Sequence, residues 1–106
     1  MAAVATPAEA PVYDDENVFS KILDGAIPSY KIFETEDCIA ILDAFPVVRG
    51  HSLLIPKAKG YTDIISMPGD VLAKTLASLP RLCKIVKEAT GADGVNVIQN
   101  NRPAAG

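Results

Sequence analysis

Residues 39–57, IAILDAFPVVRGHSLLIPK, contain two short apolar runs joined by a seven-residue connection that carries Pro46 and Gly50. Asp43 ends the first run, and His51, the only histidine in the chain, begins the second. Two such runs around a short connection with proline and glycine predict a pair of antiparallel strands. This hairpin limits the fold more than any other stretch, because it decides which side chains of the two strands lie opposite each other.

The register of the hairpin decides whether Asp43 and His51 are neighbours. Side chains alternate between the two faces of a strand, so each residue shares its face with the residues two positions away. If Asp43 lies opposite His51, then Ile41 lies opposite Leu53, and the carboxylate and the imidazole project from one face at the open end of an apolar groove. A shift of one residue would turn one of them away, so their pairing depends on the register.

Composition narrows the class of protein. The chain has 106 residues, of which 49% are hydrophobic, which is enough for one domain with a single core. The net charge of -3, with scattered basic residues, argues against binding of nucleic acid through its phosphates. Neither a targeting signal nor an apolar run long enough to span a membrane is apparent in the sequence, which predicts a cytoplasmic protein without membrane contact.

The two cysteines, Cys38 in a predicted strand and Cys83 in a predicted helix, are interpreted as buried, reduced thiols. The chain has no C-x-x-C pattern and no second histidine, so no metal site and no cofactor are predicted.

The remaining segments predict an α+β fold. Residues 1–16 are rich in alanine, proline and acidic residues, and we predict a disordered or loosely attached arm. Asn17 is placed to cap a short helix that ends at Gly25. Residues 30–34 predict a first strand before the two strands of the hairpin.

Leucines and other apolar residues recur at three- and four-residue intervals from Asp70 to Val86, which predicts a long amphipathic helix packed on the sheet. Pro80 predicts a bend near Ser78, which is a candidate cap for the second half. Residues 95–100, VNVIQN, alternate as a fourth strand would, and a turn follows them.

These segments resemble the histidine triad family of nucleotide-binding hydrolases and transferases, in particular its Hint-like branch. The matching motifs follow in the family's order: Phe19-x-Lys21-Ile22 with Ile27-Pro28, Cys38 to Asp43 with Pro46, Gly50-His51-x-Leu53-x-Ile55-Pro56-Lys57, and Gly94 to Asn101 with Ala105-Gly106. The resemblance covers residues 17–106, which we predict to form one domain that is incomplete at its carboxyl end. Family members continue into a His-x-His-x-His strand that these 106 residues do not contain.

The resemblance implies five strands in the full domain, of which four are expected here, and a homodimer. It also implies a hydrolase or nucleotidyl transferase that acts on purine nucleoside phosphoramidates or related nucleoside monophosphate esters through a nucleotidyl-histidine intermediate. His51 resembles a supporting histidine of the family site and not the nucleophile, so the 106-residue chain itself is expected to be inactive. The alternative is a non-catalytic nucleotide-binding or protein-interaction module that ends at Gly106.

Each predicted site residue also has a plain structural interpretation. Asp43 either bonds to backbone N–H groups in the turn that follows it or, by resemblance, accepts hydrogen bonds from the ribose hydroxyls. Asn100 is either a turn residue or, by resemblance, reaches the ribose or the phosphate. Four apolar residues are candidates both for the core and for the nucleoside site: Phe19, Ile22, Ile27 and Ile41.

Overall fold

The computed structural model describes residues 11–106, which form a small α+β unit with a three-stranded sheet. Residues 1–10 of the predicted arm lie outside this range, so the arm stays a prediction. The elements are α1 (Val18–Leu23), β1 (Tyr30–Glu34), β2 (Cys38–Leu42), β3 (Ser52–Pro56), α2 (Gly69–Leu76), α3 (Leu79–Thr90) and a 3₁₀ turn (Pro103–Ala105).

The strands β1, β2 and β3 form an antiparallel sheet in sequence order, with β2 in the centre. Ile41 lies opposite Leu53. One step further, the N–H of Asp43 donates to the carbonyl oxygen of His51 at 2.9 Å. The condition set out in the sequence analysis is therefore met, and Asp43 and His51 are neighbours at the end of the hairpin.

Two apolar clusters cover the two faces of β2, which is why its first four residues are all buried. On one face, Cys38 and Ala40 pack with Phe33 and with Leu82 of α3. On the other face the cluster is Ile39, Ile41 and Ile55, against which Ile22 and Leu23 of α1 pack. The long helical segment therefore stabilises one side of the sheet, and the short first helix covers the other.

Helix α1 begins and ends as the sequence predicts. The side-chain oxygen of Asn17 accepts a hydrogen bond from the N–H of Ser20 at 2.9 Å, which satisfies one of the free donors of the first turn. Gly25 follows the helix with a φ of +78°, a left-handed conformation that glycine adopts without strain. This ending turns the chain back toward the sheet.

The predicted bend in the second helix is a complete break between α2 and α3. Pro80 falls in the first turn of α3, where the missing N–H costs nothing because it has no partner in a helix. Ser78 occupies the position before α3, but its side chain makes no capping hydrogen bond. Its backbone is itself helical, with φ of -91° and ψ of -6°, which differs from the extended geometry of a side-chain cap.

The predicted fourth strand over residues 95–100 is wrong, since the sheet within residues 11–106 has three strands. Alternating apolar residues favour an extended chain, but a strand also requires a hydrogen-bonded neighbour. This segment has none among the described residues, and Val95, Val97 and Ile98 are exposed. The end of the segment is held instead by a loop, where the N–H of Ile64 donates to the side-chain oxygen of Asn101 at 3.0 Å.

Glu34, at the end of β1, accepts hydrogen bonds from two lysines, and this arrangement makes its titration testable. Two hydrogen bonds lower the pKa of Glu34 from 4.5 to about 2, and the one from Lys31 contributes more than the one from Lys57. Because the folded pKa is the lower one, the interaction stabilises the folded chain above pH 4.5 and is lost as the pH falls toward about 2.

We expect the Glu34 carboxyl carbon, followed by NMR, to titrate with a midpoint near 2. Replacing Lys31 by methionine should raise that midpoint, whereas Lys74→Met, on α2, should leave it in place. An unchanged midpoint in the Lys31 variant would contradict the interaction.

No helix within residues 11–106 is both long enough and apolar enough to cross a lipid bilayer.

Candidate functional site

A pocket of about 540 Å³ lies between α1 and the face of the sheet that α1 covers. Most of its lining is apolar, with a few polar groups at its mouth, as is typical of sites for small organic ligands. The lining residues are Val18, Phe19, Ile22, Ile27, Pro28, Ser29, Tyr30, Ile41, Leu42, Asp43, Ala44, Phe45 and Leu53.

The pocket brings together most of the residues that the sequence predicts for a site. The four apolar residues and Asp43 all line it. Ile41 also belongs to the core cluster on this face of the sheet, so its core and site interpretations are compatible. His51 does not line the pocket and reaches it only through Asp43.

Asp43 and His51 form a polar pair at the mouth of the pocket. Nε2 of His51 lies 3.4 Å from Oδ2 of Asp43, with both side chains partly exposed. Nδ1 of His51 accepts a hydrogen bond from the N–H of Val47 at 3.1 Å. A nitrogen that accepts carries no proton, so the neutral ring holds its proton on Nε2, which faces the carboxylate.

Asp43 makes the turn contact that the sequence left as one interpretation. Its Oδ1 accepts a hydrogen bond from the N–H of Phe45 at 2.9 Å. Its Oδ2 lies 3.4 Å from Nε2 of His51. Because an ionised carboxylate has about four acceptor positions, these contacts leave room for hydrogen bonds from a ligand.

The connection between β2 and β3, residues 44–50, therefore orients both groups through its main chain. The N–H of Phe45 holds Asp43, and the N–H of Val47 holds His51. The sequence allowed the contact to Asp43 as one interpretation, whereas it did not predict the contact of Val47 with His51.

Sequence reasoning also missed several lining residues of the pocket, of which the aromatic ones are Tyr30 and Phe45. Both are exposed, and Phe45 is 88% exposed. A large apolar side chain in a connection so close to a predicted site residue is the signal that would have identified Phe45.

Asn100 is not among the residues that line the pocket. Its side-chain nitrogen lies 3.1 Å from the position that a Cβ on Gly106 would occupy. The neighbouring Asn101 instead bonds to the loop after β3. The ribose or phosphate contact implied for Asn100 by resemblance stays a prediction.

A buried ion pair outside the pocket joins that loop to the carboxyl-terminal segment. The Asp63 side chain is 1% exposed, and its Oδ2 lies 3.1 Å from Nε of Arg102, whose side chain is 22% exposed. Oδ1 of Asp63 accepts hydrogen bonds from the N–H and the hydroxyl of Ser66. The sequence assigned no role to Arg102, yet it is the one described non-glycine residue with a positive φ, +72°.

The chemistry available at the pocket is binding and orientation. The apolar walls suit a flat, uncharged ring, and the carboxylate suits hydroxyl donors. Within residues 11–106, no three His, Cys, Asp or Glu side chains come together in a way that would hold a metal ion.

Comparison with known proteins gives a consistent family. Residues 24–106 match the HIT domain. The chain is 37% identical over 98 residues to an Arabidopsis thaliana protein named adenylylsulfatase HINT3. This match covers 92% of this chain and 49% of the relative. It is 36% identical over 88 residues to adenosine 5'-monophosphoramidase HNT1 of Candida albicans, covering 79% of this chain and 57% of the relative. The chain thus spans about half the length of these two curated relatives.

Solved structures agree with the sequence matches. A crystal structure of a HIT-like protein from Bartonella henselae superposes with a TM-score of 0.83 at 36% identity, over 88% of this chain and 71% of that one. A HIT family structure from Bacillus subtilis superposes with a TM-score of 0.81 at 30% identity, over 86% and 64% of the two chains. With the hairpin, the pocket and the Asp43–His51 pair in place, these matches show that the chain belongs to the HIT domain family.

Proposed function

We propose that this chain forms the nucleotide-binding part of a HIT hydrolase that acts on purine nucleoside phosphoramidates or related esters of nucleoside monophosphates. The single observation that carries the proposal is the apolar pocket with the Asp43 carboxylate at its mouth, paired with His51. The activities named for the relatives, adenosine 5'-monophosphoramidase and adenylylsulfatase, share an adenylyl group, which supports a ligand of this class.

The purine ring is proposed to enter the slot between α1 and β2. Phe19, Ile22 and Ile27 come from the helix side, and Ile41 comes from the sheet side. A slot with such walls favours a flat ring mainly by removing its apolar surface from water.

The ribose is proposed to lie at the mouth, where Asp43 accepts hydrogen bonds from its hydroxyls. Bonds to an ionised acceptor are about twice as strong as those between neutral groups. The N–H of Phe45 fixes the carboxylate in advance, so less ordering is needed when a ligand binds.

His51 is proposed to support the phosphate end of the site and not to attack phosphorus. In the reaction that the family resemblance implies, a histidine nitrogen attacks phosphorus and displaces the leaving group, and water then releases the nucleoside monophosphate. By the same resemblance, that histidine belongs to the His-x-His-x-His motif, and the only histidine among these 106 residues is His51. A homodimeric assembly and a cytoplasmic location stay predictions.

Calorimetric titration of the 106-residue protein with adenosine 5'-monophosphate tests this proposal. We expect one nucleotide to bind per chain and Asp43→Asn to weaken binding by roughly tenfold or more, because charge-assisted hydrogen bonds contribute about 1.5–3 kcal/mol. The same substitution should hardly affect binding of 2',3'-dideoxyadenosine 5'-monophosphate, which lacks both hydroxyls.

Asp70→Asn is the matched control, because Asp70 is an exposed residue of α2 and does not line the pocket. It should leave both affinities unchanged. Equal affinity of the wild-type and Asp43→Asn proteins for adenosine 5'-monophosphate would reduce Asp43 to a turn residue and remove the proposed ribose site.

A further inference from the structure

Gly50, the residue before His51, lies directly against the end of α3. A Cβ atom on Gly50 would be 2.6 Å from Cγ2 of Thr90 and 3.3 Å from Cγ1 of Val86. The first distance is too short for any two carbon atoms in van der Waals contact. The last turn of α3 therefore occupies the space that any other side chain at position 50 would need.

The methyl group of Thr90 is held against Gly50 by the hydroxyl on the same side chain. Its Oγ1 donates to the carbonyl oxygen of Val86 at 2.7 Å and accepts from the N–H of Ala92 at 3.3 Å. With these two bonds in place the side chain has one favoured rotamer, and the orientation of Cγ2 follows from it. α3 ends at this residue, because Gly91 takes a left-handed φ of +70°.

Hydrogen bonds of neighbouring residues connect the position of Gly50 to that of His51. The hydroxyl of Ser52 donates to the carbonyl oxygen of Gly50 at 2.8 Å. The N–H of His51 donates to the carbonyl oxygen of Val48 at 3.1 Å, and the N–H of Val47 donates to Nδ1 of its ring. A shift of Gly50 would therefore move both the backbone that carries the ring and the loop that holds Nδ1.

We propose that Thr90 is a positioning residue for His51: through its contact with Gly50, the carboxyl end of α3 fixes the imidazole with Nδ1 on the Val47 N–H and Nε2 toward Asp43. This concerns the same site as the proposed function and rests on it for the role of His51. On this proposal α3, which does not line the pocket, helps to arrange the residues at the mouth of the pocket.

Nitrogen NMR of the imidazole tests the proposal on the 106-residue protein without nucleotide. Because the chain has one histidine, its two ring nitrogens are assigned without ambiguity. We expect the neutral imidazole of the wild-type protein to show a single tautomer with the proton on Nε2. Gly50→Ala should lose that single tautomer and give a mixture of Nε2–H and Nδ1–H forms.

A double variant separates the contact from backbone strain. Gly50→Ala with Thr90→Ser removes Cγ2 and keeps the hydroxyl, and the new Cβ at position 50 fills the space that Cγ2 leaves. The contact between position 50 and α3 is thus kept, so the single Nε2–H tautomer should return. Gly60→Ala is the matched control: Gly50 has a φ of +84° and Gly60 a φ of +100°, but nothing lies within 4 Å of the Cβ position of Gly60. This control should keep the wild-type tautomer.

Two results would overturn the proposal: a folded Gly50→Ala protein with an unchanged tautomer, or a double variant no different from Gly50→Ala alone. If Gly50→Ala does not fold, Thr90→Ala decides, since it removes the methyl group without a clash. It should also give mixed tautomers, and unchanged nitrogen signals would reject the role of Thr90. Because no nucleotide is present, failure of the calorimetric test above does not affect this result.

Discussion

Asp63→Ala is expected to lower the free energy of unfolding by about 3 kcal/mol, the lower end of the range for breaking a buried ion pair. The substitution removes the acceptor of two Ser66 hydrogen bonds and leaves the guanidinium of Arg102 without its charge partner. Among the described residues, Nη1 of Arg102 and Oδ2 of Asp63 are both buried without a hydrogen-bond partner, so the attraction of opposite charges joins the two side chains. The lower end applies because the Arg102 side chain retains some exposure to water.

Backbone strain at Arg102 allows a second variant to test the role of the ion pair. Its φ of +72° and ψ of 155° lie in a region that is almost restricted to glycine and costs other residues about 1–3 kcal/mol. The ion pair with Asp63 therefore holds a residue that is strained in this conformation. Adding Arg102→Gly to Asp63→Ala removes the unpaired charge and the strain together, so the double variant should be more stable than Asp63→Ala alone.

Urea denaturation of the single and double variants measures both effects. Asp93→Ala is the matched control, because Asp93 is exposed, and its effect should stay within about 0.5 kcal/mol. A loss below 1 kcal/mol for Asp63→Ala would show that the ion pair does not hold the carboxyl-terminal segment in solution.

Leu82→Ala is expected to cost about 2–5 kcal/mol, the usual range for truncating a buried leucine. Leu82 is 5% exposed and is the residue of α3 in the cluster with Phe33, Cys38 and Ala40. The cavity it leaves lies between the sheet and α3, on the side of the sheet opposite to the pocket. We therefore expect a large loss of stability, measured by urea denaturation, with little change in nucleotide affinity for the folded fraction.

Leu76→Ala, on α2, is the control of equal chemistry. Leu76 is 45% exposed, so the same truncation should cost less than about 1 kcal/mol. If the two variants were equally stable, the helical layer would not be anchored to the sheet at Leu82.

The hairpin, the first helix and an interruption of the second helical segment near Pro80 could be predicted from the sequence, because each rests on local physics. The alternation of side chains along a strand showed which single register makes Asp43 and His51 neighbours, and the hairpin has that register. Asn17 and Gly25 carry the signals for the ends of a helix in their own side chains. These signals act over a few residues and need no knowledge of the rest of the fold.

Features that depend on distant partners were not predicted. The alternation in residues 95–100 was correct as a pattern, but pairing requires a neighbouring strand, which a local pattern does not reveal. The pair of Asp63 and Arg102 joins residues far apart in sequence. The contact of Gly50 with Thr90 likewise depends on how α3 packs on the sheet. The glycine at position 50 is its only sign in the sequence.

The main-chain hydrogen bonds to Asp43 and His51 determine which substitutions the site tolerates during evolution. Phe45 and Val47 hold the two functional groups through their N–H groups, which every amino acid except proline possesses. At positions 45 and 47 any residue except proline keeps these two hydrogen bonds, while the length of the connection and the glycine at position 50 are constrained. The proline that the connection does contain, Pro46, stands between positions 45 and 47, where no N–H is used.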